Sequence, residues 1–125
     1  MKKLVFLLML FASHSVWAGW TPMSKGLGDS SFYYHPDSIK IHGNSVKVWE
    51  YYDYPKPQRH GVLSERVLTE YNCQNKDMRL VHIATFDGHN LTGKTLYSRH
   101  AKVSKWYRVT PFSNNEKVLD IVCRR

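Results

Sequence analysis

Between Ile39 and Tyr54, apolar side chains alternate with polar ones on both sides of a turn signal. Ile39-Lys40-Ile41 runs into His42-Gly43-Asn44, and Val46-Lys47-Val48-Trp49 leads on to Tyr51, Tyr52 and Tyr54. Period-two alternation puts successive side chains on opposite faces of a strand, and a Gly-Asn pair between two such runs predicts a β-hairpin. The alternation sends Val46, Val48, Tyr52 and Tyr54 to one face, and Lys47, Trp49 and Tyr51 to the other. Pro55-Lys56-Pro57-Gln58-Arg59-His60-Gly61 ends the second strand in a predicted loop, because proline has no amide hydrogen to give to a ladder. Ser64 to Cys73 resumes the pattern, with Val67, Thr69, Tyr71 and Cys73 on one face. A polar turn at Cys73–Asp77 joins it to the apolar and β-branched run Arg79–Phe86, which predicts a second antiparallel hairpin. Asp87-Gly88-His89-Asn90 and Thr92-Gly93 break the chain again, and Thr95–Ala101 and Lys105–Val109 are further strand candidates.

The period then changes. Ser113-Asn114-Asn115-Glu116 reads as a capping box, with Ser113 as N-cap and Glu116 three residues on. Val118, Leu119, Val122 and Cys123 follow at helical spacing along one stripe, so a short terminal helix is expected to present Cys123 on its buried face. The fold class is α+β, mainly β.

The opening segment has a different character. Met1-Lys2-Lys3 is a basic start, Leu4 to Ala12 is an uncharged apolar run, and Val16-Trp17-Ala18 places small residues where signal peptidase reads them. Residues 1–18 are therefore expected to be a cleaved signal peptide, with residues 19–125 a single domain. The apolar run is shorter than the roughly 20 residues a membrane-spanning helix needs. Export to the periplasm, the cell surface or the medium follows.

Export changes the meaning of the cysteines. Cys73 and Cys123 are the only two, and in an oxidising compartment two lone cysteines most simply pair with each other. A reactive thiol or a metal pair is the alternative, but no CxxC spacing accompanies it. Charge narrows the partners: 18 Lys and Arg stand against 10 Asp and Glu, a formal +8. Loss of Lys2 and Lys3 with the signal peptide leaves the rest basic. Such a surface favours acidic partners, whether lipopolysaccharide, anionic phospholipid, acidic glycan or acidic protein regions. Nucleic acid is disfavoured by export alone.

Residues spread along the whole chain resemble the surface-adhesin E family. They are Trp20, Asp37-Ser38-Ile39, Val46-Lys47-Val48-Trp49, Asp53-Tyr54 with Pro57-Gln58, Tyr71-Asn72-Cys73 followed by Arg79, Trp106 with Pro111, and the terminal Val122-Cys123. The resemblance implies a curved antiparallel sheet of about six strands. It places the C-terminal helix on the concave face, held there by a Cys73–Cys123 bond. It also implies binding of host matrix or serum proteins and allows a homodimer. The family's namesake is a lipoprotein, whereas no cysteine stands near residue 18 here.

Catalytic chemistry finds little support. No G-x-S-x-G elbow, paired carboxylate site or phosphate-binding glycine loop is present, so the chain reads as a non-enzyme without a cofactor. The histidines form no HxH or HxxxH pair. His82, His89 and His100 are the candidates for a metal or haem site assembled across strands, against the plainer reading of scattered surface histidines. Exposed aromatics beside cations suit protein or glycan recognition, which nominates Trp49, Tyr51, Lys56, Arg59 and His60 as a recognition patch. The plainer reading buries these aromatics or places them in a dimer interface. An exported non-catalytic binding protein is the leading functional expectation. The alternatives are a periplasmic accessory or inhibitor protein and a small-ligand or haem binder between sheet and helix. Asn90-Leu91-Thr92 matches a glycosylation sequon, a coincidence in a chain with a bacterial-type signal.

Overall fold

A computed structural model describes residues 19–23, 30–102 and 104–124. The expected signal peptide, residues 1–18, lies outside them. Eight antiparallel strands form one open sheet: β1 (Thr21–Pro22), β2 (Ser31–Tyr34), β3 (Lys40–His42), β4 (Ser45–Asp53), β5 (Ser64–Asn72), β6 (Asp77–Phe86), β7 (Thr95–His100) and β8 (Tyr107–Arg108). Among the described residues one α-helix, α1, spans Asn114–Val122. The continuous path runs β1-β2-β4-β5-β6-β7, in number the about six strands the resemblance implies, although β1 and β2 were not among the strands expected from the pattern. The short β3 and β8 pair separately with β4 and β6.

Both predicted hairpins form. Gly43 turns β3 into β4 with φ 57°, in the first central position of a two-residue turn, where positive φ costs glycine least. β5 and β6 are the longest pair, joined by the turn at Cys73–Lys76. Their ladder carries one bulge. Leu68 faces His82 and Thr69 faces Leu80, so Val81 is an extra residue on β6. β2 was not expected; its Phe32 and Tyr34 alternate inward over only four residues.

The core lies between α1 and one face of the sheet. Val118, Leu119 and Val122 pack against Phe32, Tyr34, Val46, Val48, Tyr71 and Val109. Ser113 caps the helix by accepting from the Glu116 amide at 3.2 Å. The Glu116 carboxylate bonds the Phe112 amide at 2.7 Å, one residue before the cap the box predicted. Cys73 and Cys123 are bonded with their Cα atoms 5.5 Å apart, tying the end of α1 to the β5–β6 turn. Such a covalent tie suits a helix of nine residues, which has little stability of its own.

Candidate functional site: the helix-free face

Strand register determines which side chains meet on the face away from α1. Three central rows cross it, between Ser45, Asn72 and Asp77 at one end and Asp53, Ser64 and Phe86 at the other. Lys47, Glu70 and Arg79 form one; Trp49, Leu68, His82 and His100 the next; Tyr33, Tyr51, Arg66, Ala84 and Ser98 the third.

The centre of the face is a cation held among rings. The Arg66 guanidinium carbon lies 5.3 Å from the Trp49 ring centroid and 5.7 Å from that of Phe86. At such distances the ring quadrupoles attract the cation, by roughly 0.5–1 kcal/mol where solvent reaches and more where it does not. The His82 ring packs edge-on to Trp49 at 5.7 Å and lies 5.8 Å from His100 on β7. Desolvation pushes the His82 pKa below the ordinary histidine value, and Arg66 and His100 push the same way. Arg66 Nε and His82 Nδ1 are shielded from solvent without a hydrogen-bond partner among the described residues. Sequence patterning could not single out Arg66. Its only signal is its parity with Leu68 and Glu70, and its partners arrive from β4 and β6.

The nominated patch residues separate into three settings. Trp49 is half-buried on the helix-free face. Tyr51 shares that face but is only 1% exposed. Tyr33 stacks on it at 4.4 Å, Trp20 meets it edge-on at 4.9 Å, and its hydroxyl donates to Asn90 at 3.1 Å. Burial holds the Tyr51 phenol well above the usual tyrosine range. Tyr51 thus supports the face from beneath, because β2 and the Trp20 segment cover it. Lys56, Arg59 and His60 are exposed in the loop beyond the end of β4. Four strand residues, roughly 13 Å, separate Trp49 from that end.

The three candidate histidines also divide. His82 and His100 are cross-strand neighbours. His89 instead bonds Asp53 through Nδ1 at 3.1 Å, where the Asn90 amide also donates to Asp53 at 2.6 Å. Among the described residues no three His, Cys, Asp or Glu side chains are grouped to hold a metal.

The model of one protein family, surface-adhesin protein E, matches residues 20–124. The chain belongs to the surface-adhesin protein E family. Solved structures agree at the level of the fold. A selenomethionine form of Haemophilus influenzae protein E is 21% identical, with a TM-score of 0.60 over 93% of this chain and 94% of that one. Another structure of Haemophilus influenzae protein E is 20% identical, with a TM-score of 0.59 over 92% and 91%. A second crystal form gives 18% and 0.58 over 94% and 97%. No curated protein sequence matches the chain. Membership of a surface-adhesin family implies export toward the cell surface. No helix among the described residues is long and apolar enough to cross a membrane.

Proposed function

We propose that this surface-adhesin E chain is a non-catalytic binding protein that acts outside the cytoplasm. Its helix-free sheet face would hold an acidic protein or glycan partner. The observation that carries this reading is Arg66 held between Trp49 and Phe86, with His82 and His100 beside it. A planar cation preorganised on rings loses little freedom on meeting a carboxylate or sulfate, so its contact contributes more than a free lysine would. The basic surface accelerates encounter with acidic partners. The Lys56, Arg59 and His60 loop extends the cationic area past the strand ends and sets a second contact with the same partner.

The interval between helix and sheet is packed by Val118, Leu119 and Val122 against the strands, which favours the outer face over an interior ligand site. The test is binding of the purified disulfide-bonded protein to immobilised matrix and serum proteins and to acidic glycans. Arg66→Ala and Trp49→Ala are each expected to weaken the strongest interaction by about tenfold, and Arg66→Ala also to lower its salt dependence. Lys56→Glu with Arg59→Glu is expected to slow association. Binding untouched by all of these changes would remove the face and the loop from consideration. Protease shaving of intact cells separates a surface adhesin from a periplasmic accessory protein: only the former is cut while a periplasmic marker stays protected.

A further inference from the structure

The outer flank of β6 is not covered along its whole length. β7 pairs with it as far as His82, and β8 pairs with it only at Asp77 and Met78. Among the described residues no strand therefore pairs on that side with residues 79–81, which include the bulged Val81. The chain leaving β7 crosses the break. The Ala101 amide donates to the Val81 carbonyl at 2.8 Å, and the Ser104 hydroxyl donates to the Leu80 carbonyl at 2.6 Å. Beneath this crossing lies a cleft of about 280 Å³, lined chiefly by Lys47, Glu70, Arg79, Leu80, His100 and Lys102. Its volume is near the lower end of ligand sites, roughly 300–1,000 Å³, and suits a small group rather than a large molecule.

Its chemistry is cationic and partly preorganised. Glu70 is nearly buried and takes the Arg79 Nε at 2.8 Å. The Arg79 guanidinium carbon sits 4.3 Å from the Trp106 ring centroid. One carboxylate and one ring thus fix the guanidinium plane, and the bond to Glu70 uses only Nε. Lys47 flanks Glu70 from β4 in the same row. Three permanent cations, Lys47, Arg79 and Lys102, line the cleft with the single carboxylate of Glu70, and His100 lines it too. The Ala101 amide and the Ser104 hydroxyl hydrogen are committed to carbonyls, so a ligand would be held by side-chain cations. An excess of two positive charges matches a dianion better than a monoanionic carboxylate. A phosphomonoester carries about −1.5 to −2 at neutral pH and offers three strong acceptor oxygens. Arginine forks and lysine point charges are the side chains that bind such groups.

We propose that this cleft is a binding site for a phosphomonoester group, carried on a saccharide or on a lipid headgroup. The site adjoins the Arg66 face and shares His100 with it, but its ligand is small and none of Arg66, Trp49 and Phe86 lines it.

The test is a backbone-amide NMR titration of the disulfide-bonded protein with glucose 1-phosphate at constant ionic strength, with glucose as the neutral control. Sedimentation with phosphatidylcholine vesicles, with and without phosphatidic acid, runs alongside it. Saturable shifts at Lys47, Arg79, Ala101 and Lys102 assign the cleft to soluble phosphates. Selective sedimentation with phosphatidic acid assigns it to a lipid headgroup. In either case Lys102→Glu, at an exposed position that threatens no packing, is expected to weaken binding by about tenfold or more. Arg124→Glu makes the same charge change at an exposed position outside the cleft and is expected to have little effect. Equal losses in the two variants would reduce the binding to net charge and overturn the proposal. Absence of both shifts and selective sedimentation would overturn it as well.

Discussion

Tyr71 donates its phenol hydrogen to Glu50 in the helix-covered face of the sheet. Glu50 has no solvent exposure and accepts a second bond from the Thr69 hydroxyl at 2.6 Å. Asn115 of α1 donates to the Tyr71 hydroxyl at 3.0 Å, so one chain of polar contacts runs from strand to helix. Burial pushes the Glu50 carboxyl up to about 7, and the two hydroxyl bonds offset that only in part.

A carboxyl raised on folding keeps its proton in the native state while the unfolded chain releases it. The contribution of Glu50 to stability is therefore greatest below about pH 4.5, falls as the pH rises toward 7, and levels off above that. The fall amounts to about 3 kcal/mol. Thermal unfolding across this range is expected to show it. Glu50→Gln is expected to remove most of the slope, since its amide can give an N–H to the Tyr71 oxygen and its carbonyl can accept from Thr69. Glu65, also raised by burial, retains a slope of the same sign. An unchanged slope in Glu50→Gln would assign the effect to another group.

Loss of the Cys73–Cys123 bond should act mainly on the helix. The bond closes a loop across a sequence separation of 50, for which chain entropy gives about 4 kcal/mol. Cys73→Ser with Cys123→Ser is expected to lower stability by up to that amount. It is also expected to speed hydrogen exchange on residues 116–122 more than on β4 and β5. Uniform acceleration across the protein would show that the helix is held by packing alone.

His82 should titrate below 6.5, the ordinary histidine value. Because folding disfavours its protonated form, its neutral state is stabilising above that value, and the benefit is lost as the pH falls below it. Arg66→Gln removes the neighbouring cation and is expected to raise the His82 pKa toward the ordinary value, read from the imidazole carbon-bound proton by NMR. An unmoved titration would mean that desolvation and His100 set it without Arg66.

Phe112 stands 95% exposed with φ at 64°, a left-handed conformation that costs a residue with a Cβ about 1–2 kcal/mol. Phe112→Gly keeps the amide that Glu116 accepts. It is expected to raise stability by up to about 1 kcal/mol after the entropy that glycine adds to the unfolded chain. A lower melting temperature would instead show that the phenyl ring packs in solution.

The strands were legible because alternation survives wherever one face is buried, and the capped stripe at Ser113–Val122 marked the helix equally well. Glu50 shares the parity of Val46, Val48 and Tyr52, but its residue type gave no signal of burial. What parity could not reveal was cover from distant segments. Tyr51 was read as outward, and it does face away from the helix, yet Trp20 and Tyr33 close over it. The Arg66 site and the β6 cleft were hidden for a related reason. One needs the register of three strands, and the other depends on the bulge at Val81, which exists only once β5 and β6 are paired.

The interrupted flank of β6 has a consequence for the protein at high local concentration. An unbroken outer strand would offer another copy a long row of unpaired amides and carbonyls, the usual template for edge-to-edge aggregation. Here β7 is six residues long, exposed Lys94 and Lys102 flank it, and the crossing at Ala101 and Ser104 takes up the carbonyls beyond its end. The break that opens a cleft also leaves an incoming strand too little straight edge to extend.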